Sequence, residues 1–146
     1  MSRNIEEQLS QDGFYVSTTV GVSMRPMLRD RQDRVIIKPV GTDRLSRWDL
    51  PLYRRPDGKY VLHRIIAVKD GVYIIRGDNT YEKEEVPHEW ILGVMTEFYR
   101  GTRHVSATNR GYRLYAALWQ RLYPLRYPIH LLRRRLARLR RKRSGK

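Results

Sequence analysis

One serine, Ser23, lies where a chain could hold a nucleophile. It follows a run rich in β-branched and aromatic residues, 14–20, and stands in the turn GVSMRPML, 21–28, among glycine, proline and large apolar side chains. A serine hydroxyl is a weak nucleophile until a base removes its proton. The turn therefore indicates either a nucleophile held rigidly against a substrate or a strand-to-loop corner whose methionines fill the core.

Four histidines are candidates for the base. His88 lies in a charged segment, and His104 and His130 lie in the basic C-terminal part, where neighbouring cations disfavour proton acceptance. Only His63 lies within a predicted strand of the body. A strand histidine taken alone is more often structural, so its assignment depends on the motifs that accompany it.

Three short motifs occur in order: SMRP at 23–26, LHRI at 62–65 and GDN at 77–79. In this order they resemble the signal-peptidase and SOS-repressor group of serine peptidases. That group has a Ser-Met nucleophile motif, a base followed by Arg within a strand, and a Gly-Asp motif nearby. The base is lysine in bacterial signal peptidases and histidine in the endoplasmic-reticulum and archaeal-like branch, which this chain matches. The resemblance covers 18–96 and implies peptide-bond hydrolysis.

The resemblance implies a role for each matching position. Ser23 would be the nucleophile, and His63 would take its proton and pass it to the leaving amine. Asp78 is the motif acid, which either partners the histidine or supports the site structurally. A second family acid falls near Glu84, where the usual aspartate is missing, and Glu84 could equally belong to a solvated charge run.

The same resemblance suggests how the substrate is held. The backbone N–H of Ser23 would stabilise the oxyanion, while the hydroxyl that some signal peptidases add two residues earlier is missing at Gly21. Met24 and Pro26 would shape a groove in which an extended peptide adds as a strand. No cofactor is expected. No zinc site is expected either, because cysteine is absent and no His-Glu-x-x-His spacing occurs.

The elements that must position these residues are mostly short strands between glycine and proline turns. A short helix is predicted at 2–11, with Ser2 as its N-cap. Strands are predicted at 14–20, 35–37, 48–53, 60–68, 72–75 and 90–98, with Asp70-Gly71 as a tight hairpin turn. The expected fold is therefore mainly β and similar to the peptidase domain of that group, with a short N-terminal helix and basic C-terminal helices.

Charge divides the chain at its C-terminal third. Residues 1–97 carry 15 Lys and Arg against 15 Asp and Glu, and 98–146 carry the other 15 cations with no acid. We expect a peptidase-like domain over 1–111 and a basic amphipathic helical tail over 112–146, broken at Pro124 and Pro128. The tail would bind an anionic membrane surface, with Trp119, Tyr123 and Tyr127 near the headgroups, or it would bind nucleic acid. Alternatively, 112–122 packs on the body and the rest of the tail is a solvated basic helix.

Two function classes remain open from the sequence. The first is a serine endopeptidase acting on a cytosolic or membrane-proximal peptide. The second is a catalytically inactive binding module that keeps the fold and acts through its tail. No run of about 18 apolar residues and no signal-peptide pattern is present, so we expect a cytoplasmic protein, peripheral on the inner membrane face if the tail binds lipid.

Overall fold

The computed structural model describes residues 3–144, with side chains as far as residue 142. The fold is mainly β, with one short helix before the strands and two helices after them, which confirms the coarse fold class expected from the sequence. The helices are α1 (Ile5–Asp12), α2 (Arg110–Arg121) and α3 (Tyr123–Ser144). The strands are β1 (Tyr15–Thr18), β2 (Arg34–Pro39), β3 (Pro51–Arg54), β4 (Tyr60–Leu62), β5 (Arg64–Lys69), β6 (Val72–Arg76), β7 (Glu84–Pro87), β8 (Ile91–Arg100) and β9 (Arg103–Ser106).

The larger sheet has six antiparallel strands in the order β1-β2-β8-β3-β4, with β9 also paired to β8. Alternate residues of β2, Val35 and Ile37, are buried and stand opposite Phe98 and Met95 of β8. Such alternation turns one face of a strand to the core. The main hydrophobic core therefore lies on this face.

The smaller sheet has three strands in the order β5-β6-β7. Asp70 and Gly71 join the first two with φ angles of 50° and 77°, as two-residue hairpin turns require. The predicted hairpin turn is therefore confirmed. β7 lies in a charged segment for which the sequence predicted no strand, and Val86 is its one buried side chain.

The predicted strand 60–68 is in fact two strands of different sheets. β4 ends at Leu62 in the larger sheet, and β5 begins at Arg64 in the smaller one. His63 is the single residue between them. The chain turns here because the fully buried Arg64 side chain bonds to Asp78, which follows β6. This corner sets the position of the candidate base.

Two further boundaries differ from the prediction. Ser2, the predicted N-cap of α1, lies outside the described residues, and Asn4 caps the helix instead. The strand predicted over 48–53 begins only at Pro51, because Trp48 has a φ of 78°, which is incompatible with extended backbone.

The C-terminal helices begin within the body. Tyr112 of α2 is buried in the main core, against Phe98, so the predicted division at residue 111 falls inside α2. The predicted break at Pro128 is wrong, because α3 continues through it; a helix can pass a proline at the loss of one backbone hydrogen bond. Within residues 3–144, no helix combines the length and apolar character needed to cross a membrane.

Candidate active site

An open cavity of about 590 Å³ lies between β1 and β4. Its walls include the chain from β1 to the Ser23 turn on one side and β4 on the other, ending at His63. The structure thus places the two predicted catalytic residues on the wall of one cavity, although 40 positions of sequence separate them. Met24, predicted to shape the substrate groove, also lines it.

The turn that carries Ser23 is anchored by its apolar neighbours. The side chains of Met24, Met27 and Leu28 are buried in the main core. Leu28 donates its backbone N–H to the Met24 carbonyl at 3.0 Å, which closes the turn. The sequence left open whether these methionines fill a core or hold a nucleophile, and the packing is compatible with both.

The segment after β6 holds the same turn from the other side. Asn79 donates its backbone N–H to the Ser23 carbonyl at 2.7 Å and its side-chain amide to the Val22 carbonyl at 3.1 Å. Gly77 lies so close that an added Cβ would stand 2.8 Å from the Ser23 carbonyl oxygen. The GDN motif therefore contacts the Ser23 turn through both the backbone and the side chain of Asn79.

These contacts involve the Ser23 carbonyl and leave two of its groups unbonded. Within residues 3–144, neither the Ser23 hydroxyl nor its backbone N–H makes a hydrogen bond. The side chain is half-buried on the cavity wall. Acyl transfer by a serine requires a hydroxyl that can attack the carbonyl carbon and an N–H that can bind the oxyanion.

His63 is held in its neutral form. Burial, reinforced by the positive charge of Arg55, lowers the pKa of the imidazole from 6.5 to about 4, against the smaller opposing effect of nearby carboxylates. A neutral imidazole at pH 7 can accept a proton. Its ring makes no hydrogen bond to any described residue, so Ser23 and His63 are not hydrogen-bonded in this structure. Such contacts commonly tighten only when substrate binds.

Asp78 is engaged elsewhere. Its carboxylate accepts two hydrogen bonds from the Arg64 guanidinium, at 2.7 and 2.8 Å, and one from Gln120 at 2.8 Å. Asp78 and Arg64 are both fully buried. The structure therefore does not bring the Asp78 carboxylate to His63, and it gives this acid the structural position that the resemblance left open.

The backbone of Asp78 receives the C-terminal helices. Its carbonyl accepts the indole N–H of Trp119 at 2.9 Å and the guanidinium of Arg126 at 3.1 Å. Gln120, which bonds the Asp78 carboxylate, also accepts a bond from Arg76 at 2.7 Å. Helices α2 and α3 thus hold the same segment that contacts the Ser23 turn, a connection that no sequence motif indicated.

Glu84 shares a small cavity with His63, whereas the Asp78 carboxylate is bonded to Arg64 and Gln120. Glu84, Arg55 and His63 line one small cavity of about 250 Å³. Arg55 donates two hydrogen bonds of 2.7 Å to the Glu84 carboxylate, and these bonds lower the carboxyl pKa. Tyr53 donates a third at 2.8 Å. Glu84 raises the pKa of His63 through charge alone, without a hydrogen bond.

The remaining predicted site residue lies apart from this cavity. Pro26 lines a separate cavity of about 400 Å³ beside Phe98 and Tyr112, so the structure does not place it in the groove that Ser23 and His63 share. The described residues contain no cluster of three or more His, Cys, Asp or Glu side chains arranged to hold a metal ion.

Arg55 and Tyr53 are the polar neighbours of the site that the sequence did not single out. Both lie at the end of β3, and both reach across to Glu84 of β7. Two adjacent arginines before Pro56-Asp57 gave no indication of such a contact.

Comparisons with known proteins assign no family to this arrangement. No protein-family model matches the chain, and no curated protein shows significant similarity to it.

Proposed function

We propose that the chain is a serine endopeptidase in which Ser23 is the nucleophile and His63 the general base. The observation that carries the proposal is the common cavity wall, on which an unbonded serine hydroxyl faces the same space as a neutral imidazole. The motif order that resembles the signal-peptidase and SOS-repressor group supports the same assignment.

The reaction would proceed in two halves. Ser23 Oγ forms a bond to the peptide carbonyl carbon while His63 takes the hydroxyl proton. The resulting oxyanion is stabilised by the Ser23 N–H. The carbon–nitrogen bond then breaks, and His63 gives the proton to the leaving amine. A water molecule, deprotonated by His63, attacks the carbonyl carbon of the acyl ester. The carbon–Oγ bond then breaks and His63 gives the proton to Oγ, which releases the carboxylic acid and restores the Ser23 hydroxyl.

Glu84 would assist this cycle from a distance. Its negative charge favours the cationic imidazole that forms after proton transfer. The Arg55 guanidinium acts in the opposite direction, and it also keeps Glu84 ionised. Asp78 would act structurally, by holding Arg64 beside the corner at His63.

The substrate would be a peptide in extended conformation. β1 and β4 are the two ends of the main strand order in the larger sheet, and both border the cavity. A strand at a sheet end offers unpaired backbone groups to an added strand. The exposed Val20 and the half-buried Leu62 on the cavity wall favour apolar side chains beside the scissile bond.

Cleavage of a peptide library tests the proposal. The wild-type protein should cleave a subset of peptides, and Ser23→Ala and His63→Ala should lose about a thousandfold or more of that activity. Ser46→Ala and His104→Ala are matched controls, because both side chains are exposed and neither lines the cavity. Equal cleavage by all variants, or none by the wild type, would favour the binding module, which the missing Ser23–His63 hydrogen bond also permits.

A further inference from the structure

A stripe of large apolar side chains runs along α2 and α3 on the solvent side. Its members recur at alternating intervals of four and three positions, which places the five that lie in α3 on one face of that helix. Each is at least 47% exposed. They are Leu118, Leu122, Leu125, Ile129, Leu132, Leu136 and Leu139. We call this set the leucine stripe.

The opposite face of α3 is the one that packs on the body. Tyr123 lies under the Arg76 guanidinium, 3.3 Å from it, and Tyr127 contacts the edge of Tyr81. Arg134 lies over the same Tyr81 ring at 4.6 Å. A surface helix ordinarily turns its apolar face to the core. Here the aromatic and cationic face is turned inward, and the leucine stripe is turned outward.

This packing corrects one expectation about the tail. The sequence placed Trp119, Tyr123 and Tyr127 near lipid headgroups. Trp119 instead bonds to the Asp78 carbonyl, and the two tyrosines contact the body. The aromatic side chains therefore hold α3 in place, and the leucines are the side chains left on its outer face.

The charges beside the leucine stripe determine what can cover it. Arg133, Arg135, Arg140 and Lys142 stand in the positions that flank the stripe, and 98–146 contains no acidic residue. A second copy of the chain would bring its own flanking cations against these, and like charges at such positions oppose helix pairing. An anionic occupant, in contrast, complements these charges.

We propose that the leucine stripe docks on an anionic phospholipid membrane surface. An acidic helix of a partner protein would engage only the cations that flank the stripe. The arginines of α3 extend farther round the helix, to Arg138 and Arg141. The potential of an anionic bilayer reaches about 10 Å from its surface at ordinary ionic strength, which is about one helix diameter. A membrane therefore also attracts cations beyond those that flank the stripe, and this charge distribution favours it.

Docking would also fix the position of the candidate active site relative to the membrane. Arg126 of α3 bonds the Asp78 carbonyl, and the adjacent Asn79 bonds the Ser23 carbonyl. The helix that lies on lipid would thus hold the Ser23 turn at a fixed distance from the membrane. The docking itself is independent of the proposed catalysis, since none of the leucine stripe lines the Ser23 cavity.

Vesicle flotation with the full chain tests the docking. The protein should float with vesicles of phosphatidylglycerol and phosphatidylcholine in about equal parts, and much less with phosphatidylcholine alone. Leu132→Ser with Leu136→Ser should weaken binding by at least about a hundredfold, since each leucine loses roughly a factor of ten or more. Val68→Ser is the matched control, because Val68 lies on the body with the same 48% exposure as Leu136.

A second pair of variants tests the charge. Arg135→Gln with Arg138→Gln should weaken binding to anionic vesicles severalfold to tens of times, and added salt should reduce the difference. Lys38→Gln with Lys69→Gln, on exposed strand positions of the body, should bind as the wild type does. Ser23→Ala should also bind fully, so a failure of the peptidase proposal leaves this result unaffected.

Two outcomes would overturn the docking proposal. One is that the wild-type protein does not float with anionic vesicles. The other is that the leucine variant, with an unchanged circular-dichroism spectrum, floats as well as the wild type. In either case, tight binding of a synthetic acidic heptad helix, lost in the same leucine variant, would assign the stripe to a protein partner.

Discussion

The protonation of His63 should determine how stability depends on pH. In the folded chain burial, together with Arg55, lowers the imidazole pKa to about 4, against 6.5 in an unperturbed histidine. Between those pH values the unfolded chain binds a proton that the folded chain does not. The free energy of unfolding should therefore fall as pH falls from 6.5 towards 4, and remain unaffected by this group above that range.

The size of this change in stability follows from the difference between the two pKa values of His63. Each unit of difference between the folded and unfolded pKa values corresponds to about 1.4 kcal/mol. Lowering the pH through the whole interval between the two pKa values therefore reduces the free energy of unfolding by up to about 3 kcal/mol. Replacing the imidazole by His63→Gln removes this contribution and leaves the carboxylates, whose own titration is common to both proteins. The stability of the wild type relative to His63→Gln should thus fall by about 2–3 kcal/mol between about pH 7.5 and about pH 4.5.

Urea unfolding, followed by tryptophan fluorescence at both pH values, measures this difference. The midpoint of the wild type should move to lower urea on acidification by more than that of His63→Gln. A constant difference between the two proteins would refute the reasoning. It would mean that His63 titrates alike in the folded and unfolded chain, so that burial does not lower the pKa of the imidazole.

Three further substitutions test the surroundings of the site. Asp78→Asn leaves the buried Arg64 charge without a carboxylate partner and should lower the free energy of unfolding by about 3–5 kcal/mol, measured by urea unfolding. Gly77→Ala forces a methyl group against the Ser23 carbonyl, so the proposed peptidase activity of the purified protein should fall at least about tenfold, measured as kcat/KM at a temperature where the variant is folded. Glu84→Gln removes a negative charge near the base and should lower the imidazole pKa further, as measured by NMR titration of the ring protons.

Each of these has an outcome that contradicts it. Asp49→Asn is the control for the aspartate variant, because the Asp49–Arg113 pair is partly exposed and should be worth less than about 1 kcal/mol. An equal loss of unfolding free energy in the two variants would contradict the structural role of Asp78. Full activity of the glycine variant would show that the Ser23 turn does not depend on the GDN segment. A higher imidazole pKa after the glutamate change would remove Glu84 from the site.

The local elements were predictable where local chemistry decides them. The hairpin at Asp70-Gly71 follows from residues that accept positive φ, and β2 follows from its short apolar run. β7 was not predictable, because one buried side chain, Val86, gives no alternating pattern. β9 likewise has no fully buried residue and lies within the basic part of the chain.

The corner at His63 depends on a contact that the sequence does not display. The run 60–68 has the composition of one strand, and the long-range bond between Arg64 and Asp78 lies at the point where the chain changes sheets. The same bond removes Asp78 from the vicinity of the imidazole. Motif order therefore brought Ser23 and His63 together, since both line one cavity. It did not indicate that the Asp78 carboxylate bonds to Arg64 and not to His63.

The helical type of the C-terminal tail was predicted correctly, and the sequence made no prediction of which face of the helices would meet the body. Periodicity showed that the leucines share one face, and it also suggested that the aromatics accompany them. It could not show which face meets the body. That choice depends on the Asp78 carbonyl, which accepts a hydrogen bond from Trp119, and on the Arg76 guanidinium, which lies over the Tyr123 ring.

Acyl-enzyme trapping tests the central claim most directly. The protein is incubated with an activated ester of a short peptide, quenched in acid and digested, and the acylated residue is located by mass spectrometry. We expect an acyl group on Ser23, absent from Ser23→Ala and strongly reduced in His63→Ala. An acyl group on any other residue, or equal labelling of all three proteins, would contradict it.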